Sequence, residues 1–495
     1  MPNILRGSRV KRASKRANDF ISSIGFDTPI TKHVVSINMA HMLALYRSKE
    51  VTREVASSSL KFLGGLPAHM DLDGDTEDVH HMIEQEAIRS IGMDKAGYLN
   101  LGKSRNDQVA TALRMETRER LLDLSTALCR VQGSLVLLIR RYGKLPMPGY
   151  THLQHAQPIT VAHHLQGYFE AVQRDLERAA QAYGRVNLSP MGAAALAGTS
   201  IDIDRDYVAS LLGFEGLSEN AMDAVSSRDF VLETISVAAM AMVNLSRMAE
   251  EVILWSTSEF GFAEVADEFS ATSSIMPQKK NPVVAETVRA KCGSVLGELT
   301  AAFAITKALP NSYNLDLQEV TPHLWRATGD TLASATLMAD VLSSMKLNAD
   351  RLLLSVRGDM STATELANHL VREHGVPFRQ AHAIVGEIVR KSVERGSTLE
   401  ETALKEMTSV SARVTGRPLK VDKDRLRNVL DALKTLELTR TAGGANPHAV
   451  RRLLLKDSRT LKQNLSRIAR ARSLLKEADG RLRDQVSKTE GEVIR

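Results

Sequence analysis

The stretch from Ser273 to Pro282 reads Ser-Ser-Ile-Met-Pro-Gln-Lys-Lys-Asn-Pro, with two hydroxyls, two lysines and an amide side chain in close order. Pro277 fixes its own φ and Pro282 stands where a helix can begin, so the residues between form a loop on a rigid base. Such a loop can present a catalytic hydroxyl. Glu286 falls one turn into the helix that Pro282 starts, where the helix dipole favours an acid. Leu101 to Thr111, Leu-Gly-Lys-Ser-Arg-Asn-Asp-Gln-Val-Ala-Thr, places Asn106 and Asp107 where a helix N-cap belongs. Arg105 beside them suits a carboxylate, because a guanidinium next to open helix amides receives anions well. Tyr150 to Thr160, Tyr-Thr-His-Leu-Gln-His-Ala-Gln-Pro-Ile-Thr, carries His152 and His155 ahead of a helix start expected at Pro158. An imidazole exchanges protons near neutral pH, although a lone one in a loop is more often structural. His163 and His164 follow on the helix, where packing or solvent contact is the expectation.

The elements that must hold these groups are helices. From Asn106 to Tyr142, Leu124, Leu128, Val131, Leu135 and Leu138 recur at alternating spacings of four and three. From Val231 to Trp255, Ile235, Ala238, Met242, Leu245, Ala249 and Val252 repeat the rhythm. Both read as long bundle helices. Further helices are expected after Gln157, Pro282 and Thr321, and stretches of two-residue alternation are scarce. Boundaries fall near residue 105 and near Arg357-Gly358-Asp359, where the bundle pattern stops. The expected organisation is all-α in three parts: an N-terminal helical domain over 1–105, a central antiparallel bundle over 106–358 carrying the Ser273 loop, and a C-terminal helical domain over 359–495. The long seams look too apolar for one subunit to cover, which points to association into a larger bundle.

At 495 residues the chain exceeds one ordinary core. It has no uninterrupted apolar run of about 18 residues, so no membrane span is expected. The start, Met1 to Arg12, carries Arg6, Arg9, Lys11 and Arg12 without an apolar segment, unlike a secretory signal. Cys129 and Cys292 are the only cysteines, and each lies in an apolar helical pattern, which argues for core packing and a reducing, cytoplasmic setting. The formal charge of +6 is concentrated at the end: 451–495 holds 13 Lys/Arg against 6 Asp/Glu. Leu454, Leu461, Leu465, Ile468, Leu475 and Leu482 give that tail the pattern of an amphipathic helix. A solvated basic face is expected there, and aromatic-basic interleaving suited to nucleic acid is absent.

The loop from Ser273 resembles the signature of the aspartase/fumarase superfamily of lyases, which release fumarate from substituted succinates. Its Gln278-Lys279-Lys280 core is similar to the argininosuccinate lyase family. Ser104-Arg105-Asn106-Asp107-Gln108 resembles that family's substrate loop, with Lys103 in place of an arginine. Thr151-His152-Leu153-Gln154 resembles its second signature, and Tyr313-Asn314-Leu315-Asp316-Leu317-Gln318 a further one. Ser361 to Ala367 and Pro377 to His382 are similar to its C-terminal region, and Phe20 to Ile24 to its N-terminal segment. Leu315 and Thr321 stand where members have lysines, and Thr272 where a glycine usually precedes the serines, so nothing is carried over to those positions.

The resemblance implies a homotetramer with a twenty-helix core, sites shared between subunits, no cofactor and no metal. It implies His152, Ser273, Lys279 and Glu286 as catalytic residues. It also implies substrate contacts from Ser23, Arg105, Asn106, Thr151, Asn281, Tyr313 and Gln318. The implied reaction cleaves argininosuccinate to arginine and fumarate, in arginine biosynthesis. A proton leaves the carbon next to a carboxylate, a guanidinium nitrogen departs from the neighbouring carbon, and the intermediate dianion needs cations and amides around it. Ser273 and His152 form the acid/base pair, with either order open, and Glu286 orients the imidazole. The alternatives are another fumarate-releasing lyase, such as adenylosuccinate lyase, and a crystallin-like structural protein.

Overall fold

The computed structural model describes residues 14–67, 70, 72, 76–357 and 359–491. The basic run Arg6 to Arg12 and the boundary residue Gly358 lie outside the described residues. The chain is built on helices: α1 (Thr31–Arg47), α2 (Val79–Ile91), α3 (Arg105–Tyr142), α4 (Val161–Val186), α5 (Asp229–Ser256), α6 (Val283–Thr306), α7 (Asp316–Ser344), α8 (Ala363–His374), α9 (Phe378–Arg395), α10 (Leu399–Thr415) and α11 (Pro447–Gly491), with shorter helices between. Strands occur only as two-stranded pieces among the described residues. One joins β1 (Pro146–Thr151) to β2 (Gln154–Thr160), and another joins β3 (Ala271–Thr272) to β4 (Lys280–Asn281), both antiparallel.

Helices α3 to α7 pack against one another as the central bundle. Every residue that set the heptad-like rhythm of α3 and α5 is buried. Consecutive helices of the bundle alternate in direction, as in an up-down array. Arg120 of α3 reaches Thr328 of α7 at 3.1 Å, and further along Arg130 reaches Asp340 at 2.7 Å, so α3 and α7 run in the same direction. Arg114, near the start of α3, donates to Ser227, just before α5, at 3.1 Å; α5 therefore runs that way too. Helices α4 and α6 return. Two helices, α3 and α5, have the length and apolar composition to cross a membrane, yet 67% and 56% of their most apolar windows are buried within the molecule.

Three local expectations are corrected. The N-cap of α3 is Ser104, not Asn106 or Asp107: its hydroxyl caps the helix while Asp107 at N3 accepts from the Ser104 N–H at 2.9 Å, a capping box worth about 1 kcal/mol. Pro158 lies inside β2 opposite Pro148, and α4 starts at Val161 behind a Thr160 cap. Helix α7 begins at Asp316, so Thr321 and Pro322 are inside it rather than before it. Pro282, by contrast, does stand as the N-cap of α6.

The apolar residues of α1 and α2 and Val450, Ile468, Leu482 and Val486 of α11 join the same apolar cluster as the bundle. Residues of α8, α9 and α10 form a second cluster of their own, from Leu366 to Val429. The basic helix α11 thus lies along α3, with Leu454, Leu461 and Leu475 half-buried and Leu465 left exposed. Cys129 and Cys292 are both free and buried.

Candidate active site

The residues singled out from sequence gather at the two opposite ends of the bundle. At the end where α3 begins, Asp78 caps α2 by accepting from the His81 N–H at 2.8 Å, and its second oxygen binds the Arg105 guanidinium. Asn106 donates from Nδ2 to the Ala195 carbonyl at 3.0 Å. Asp107 accepts from the amides of Gly192 at 3.2 Å and Ala194 at 2.9 Å, pinning the 190–195 loop over the helix start. Ser23 is buried and donates to Asp27 at 2.9 Å, while the same carboxylate oxygen accepts from the Val79 N–H at 3.1 Å. Burial pushes the Asp27 carboxyl up to about 7, against those two hydrogen bonds. Gln318 ties to the Ile21 carbonyl at 2.8 Å, which brings α7 to the N-terminal segment. Tyr313 is half-buried, and its hydroxyl is raised by burial while Arg228 and Arg105 oppose the shift. Beneath the cluster, Lys103 is buried and its Nζ donates to Asn38; burial brings its ammonium down to about 7.

At the other end the groups stand in the open. The β1–β2 hairpin turns through His152 and Leu153, at φ 55° and 57°, with Thr151 paired to Gln154 across them. Two left-handed non-glycine residues in one tight turn cost about 1–2 kcal/mol each, so the hairpin register must hold them there. Thr151, His152 and Leu153 are exposed. His155 is braced: Nδ1 lies 2.9 Å from Asp359 and Nε2 lies 3.2 Å from the Tyr150 hydroxyl. His164 bonds Glu251, with its ring against Trp255 and Tyr168. Behind the tip, a cavity of about 360 Å³ is lined by Thr151, Leu153, His163, His164, Glu251 and Trp255 among others.

The Ser273 loop is closed at its base by the β3–β4 pair, in which Thr272 faces Lys280 and Ala271 faces Asn281. Ser273 Oγ accepts from the Met276 amide at 3.2 Å. Lys280 is committed to Glu264 at 3.0 Å and Asp267 at 2.6 Å, whereas Lys279 points from the exposed loop with no acidic partner among the described residues. Glu286 is exposed on the first turn of α6. Within one chain no hydrogen bond among the described residues joins the His152 turn to Ser273, Lys279 or Glu286. Nor does either loop meet Arg105: the 38 residues of α3 put about 57 Å between its first residue and the hairpin.

Sequence reasoning missed Asp27, Asp78 and the loop-holding role of Asp107. The Ser-x-x-Asp spacing from Ser104 signals only the capping box; the bonds of Asp107 to Gly192 and Ala194, like those of Asp27 and Asp78, are long-range and leave no local signature. One His/acid group with metal-ligand spacing occurs among the described residues, His33 with Glu116 and Glu119. Lys32 and Arg120 already pair with those carboxylates, so it reads as an internal ion network.

Known lyases share this helical fold. The Lyase family matches residues 8–297, and the family described as Argininosuccinate lyase C-terminal matches 360–437. EDDS lyase, solved in complex with formate, superposes with a TM-score of 0.88 at 29% identity, covering 99% of both chains. Class II fumarase from Schistosoma mansoni shares the fold, with a TM-score of 0.72 at 15% identity over 85% of this chain and 95% of that one. The molecule is therefore a helical lyase of the aspartase/fumarase superfamily. An argininosuccinate lyase from Methanothrix thermoacetophila is 45% identical over 487 residues, 98% of this chain and 99% of the relative. The chain belongs to the argininosuccinate lyase family.

Proposed function

We propose that the chain cleaves argininosuccinate to arginine and fumarate, as a carbon–nitrogen lyase working by β-elimination. The observation that carries this reading is the 45% identity to an argininosuccinate lyase across nearly the whole of both chains. In the proposed site, Arg105, Asn106, Ser23, Tyr313 and Gln318 receive the substrate, and Thr151 contacts it from the hairpin. Ser273 and His152 form the acid/base pair. Lys279, Asn281 and the loop amides stabilise the dianionic intermediate. Glu286 orients the His152 imidazole and stabilises the imidazolium when the ring is protonated.

These residues cannot meet in one chain, so the site is assembled from several copies, with the binding end of one subunit facing the loop ends of others. The exposed faces of the bundle support that assembly. On α6, Gly293 and Gly297 have open space around them, and Leu296 and Phe303 are 42% and 50% exposed. Met240 and Val243 on α5 and Leu337 on α7 are likewise uncovered. A homotetramer with a twenty-helix core would bury them. Arginine biosynthesis in the cytoplasm is the setting this reaction fits. Appearance of fumarate absorbance on adding argininosuccinate, with adenylosuccinate and EDDS as controls, tests the reading. No fumarate from argininosuccinate, or faster release from a control, would overturn it.

A further inference from the structure

The turn that carries His152 is poorly held by its own backbone. Pro148 of β1 faces Pro158 of β2, so neither strand offers an N–H at that pair, and the register slips between Pro148 and Tyr150. Two pairs remain between that break and the tip, Tyr150 with His155 and Thr151 with Gln154. They must hold His152 and Leu153 at positive φ, against the steric cost of that conformation.

Side chains make up the difference. The rings of Tyr150 and His155 meet edge-on, 5.1 Å apart. The Tyr150 hydroxyl lies 3.2 Å from His155 Nε2, and His155 Nδ1 lies 2.9 Å from one Asp359 oxygen. Burial pushes the Tyr150 hydroxyl up to about 12, with the Asp359 charge adding to the shift, so it keeps its proton and can donate. A neutral His155 then accepts at Nε2 and donates from Nδ1 to the carboxylate, which fixes one tautomer and one ring orientation. The other Asp359 oxygen accepts from the Ser361 N–H at 3.0 Å and from the Ser361 hydroxyl.

The two ends of this chain stand on different cores. Met147 of β1 belongs to the core of the bundle, and Tyr150 packs against it. Ser361 is buried ahead of α8, and Met360 packs against the separate apolar cluster of α8 to α10. Asp359 therefore ties the hairpin to the C-terminal helices at the point nearest the His152 turn where the strands still pair through side chains.

We propose that Tyr150, His155 and Asp359 form a positioning brace that fixes the His152 turn against the C-terminal helices, so that the imidazole is presented in one orientation. None of the three touches the reacting atoms; they act through His152. The proposal rests on the reading of the chain as an argininosuccinate-cleaving enzyme with His152 in the acid/base pair.

Steady-state kinetics of Asp359→Ala test it, with the oligomer checked by size-exclusion chromatography. The turnover number kcat is expected to fall about 30-fold with KM within about threefold, because the acid/base group is misplaced while the binding end is untouched. Asp359→Asn, whose amide oxygen can still accept from Nδ1–H, should stay within about fivefold of the unmodified enzyme. The double variant of His155→Ala with Asp359→Ala should be no slower than the slower single variant by more than about twofold, since links of one chain fail together, whereas two independent structural losses would multiply. Unchanged kcat in an assembled Asp359→Ala enzyme, a rise in KM alone, or an equal loss in Asp359→Asn would each overturn the proposal. If Asp359→Ala fails to assemble, Tyr150→Phe takes its place, removing only the hydroxyl and keeping the ring. Its kcat should fall about fivefold at constant KM, and an unchanged kcat overturns the brace. Failure of the unmodified enzyme to release fumarate would sink the underlying reading, and is seen in the same assay before any variant is compared.

Discussion

The two ends of the helical bundle are built on opposite principles. At the start of α3, four of the five singled-out groups are tied down: Arg105 to Asp78, Ser23 to Asp27, Asn106 to Ala195, Gln318 to Ile21. At the far end, His152 and Ser273 ride on exposed loops held only at their bases, by a hairpin register and by the short Ala271–Asn281 pairing. The start of α3 is held by internal bonds, and the loops at the far end are exposed. Under the proposed function the first end receives substrate and other copies complete the second. The 38 residues of α3 span about 57 Å, which keeps the two ends apart within one chain.

The largest effect expected from disturbing this division lies at the reactive end. Ser273→Ala should leave a folded oligomer that binds argininosuccinate with turnover at least about a hundredfold slower. Near-normal turnover measured as fumarate release would remove Ser273 from the chemistry. At the binding end, Asp78→Asn keeps the cap on α2, since asparagine caps as well as aspartate, and removes the charge that holds Arg105. KM should rise about tenfold while kcat changes little, the signature of weakened binding. A fall in kcat alone would mean that Arg105 acts on the reacting atoms instead.

The smallest effect is a stability change. Asp27 keeps its proton to about pH 7 in the folded chain, against a reference value of 3.8, so the folded state binds the extra proton in that window and stability falls as pH rises across it. Asp27→Asn should therefore raise the melting temperature more at pH 8 than at pH 5, by roughly 2 °C. An equal shift at both values would show that the buried carboxyl titrates normally.

The same contrast explains what could be read from sequence. The reactive loops were legible because their chemistry is local: prolines frame Ser273 to Pro282, and His152 sits in a contiguous string. The long helices were legible because a three-four apolar rhythm is a property of one segment. The supports of the binding end were not. Asp78 meets Arg105 and Asp27 meets Val79 across 27 and 52 residues, and no spacing within one helix reveals such pairs. The N-cap was misplaced by two residues because Asn106 and Asp107 are themselves good cappers, and only the reciprocal bond to Ser104 decides between them. Pro158 marked a turn toward a helix but belongs to a strand edge, where its missing N–H is tolerated.

Subunit complementation tests the central claim most directly. An inactive His152→Asn oligomer and an inactive Ser273→Ala oligomer are mixed, dissociated and reassembled, and fumarate release from argininosuccinate is followed. If each site draws its histidine and its serine from different copies, activity should return to roughly a quarter of the unmodified level, since random mixing leaves that share of sites with both groups intact. Reassembled hybrid oligomers with no recovered activity would contradict shared sites and place both groups on a single chain.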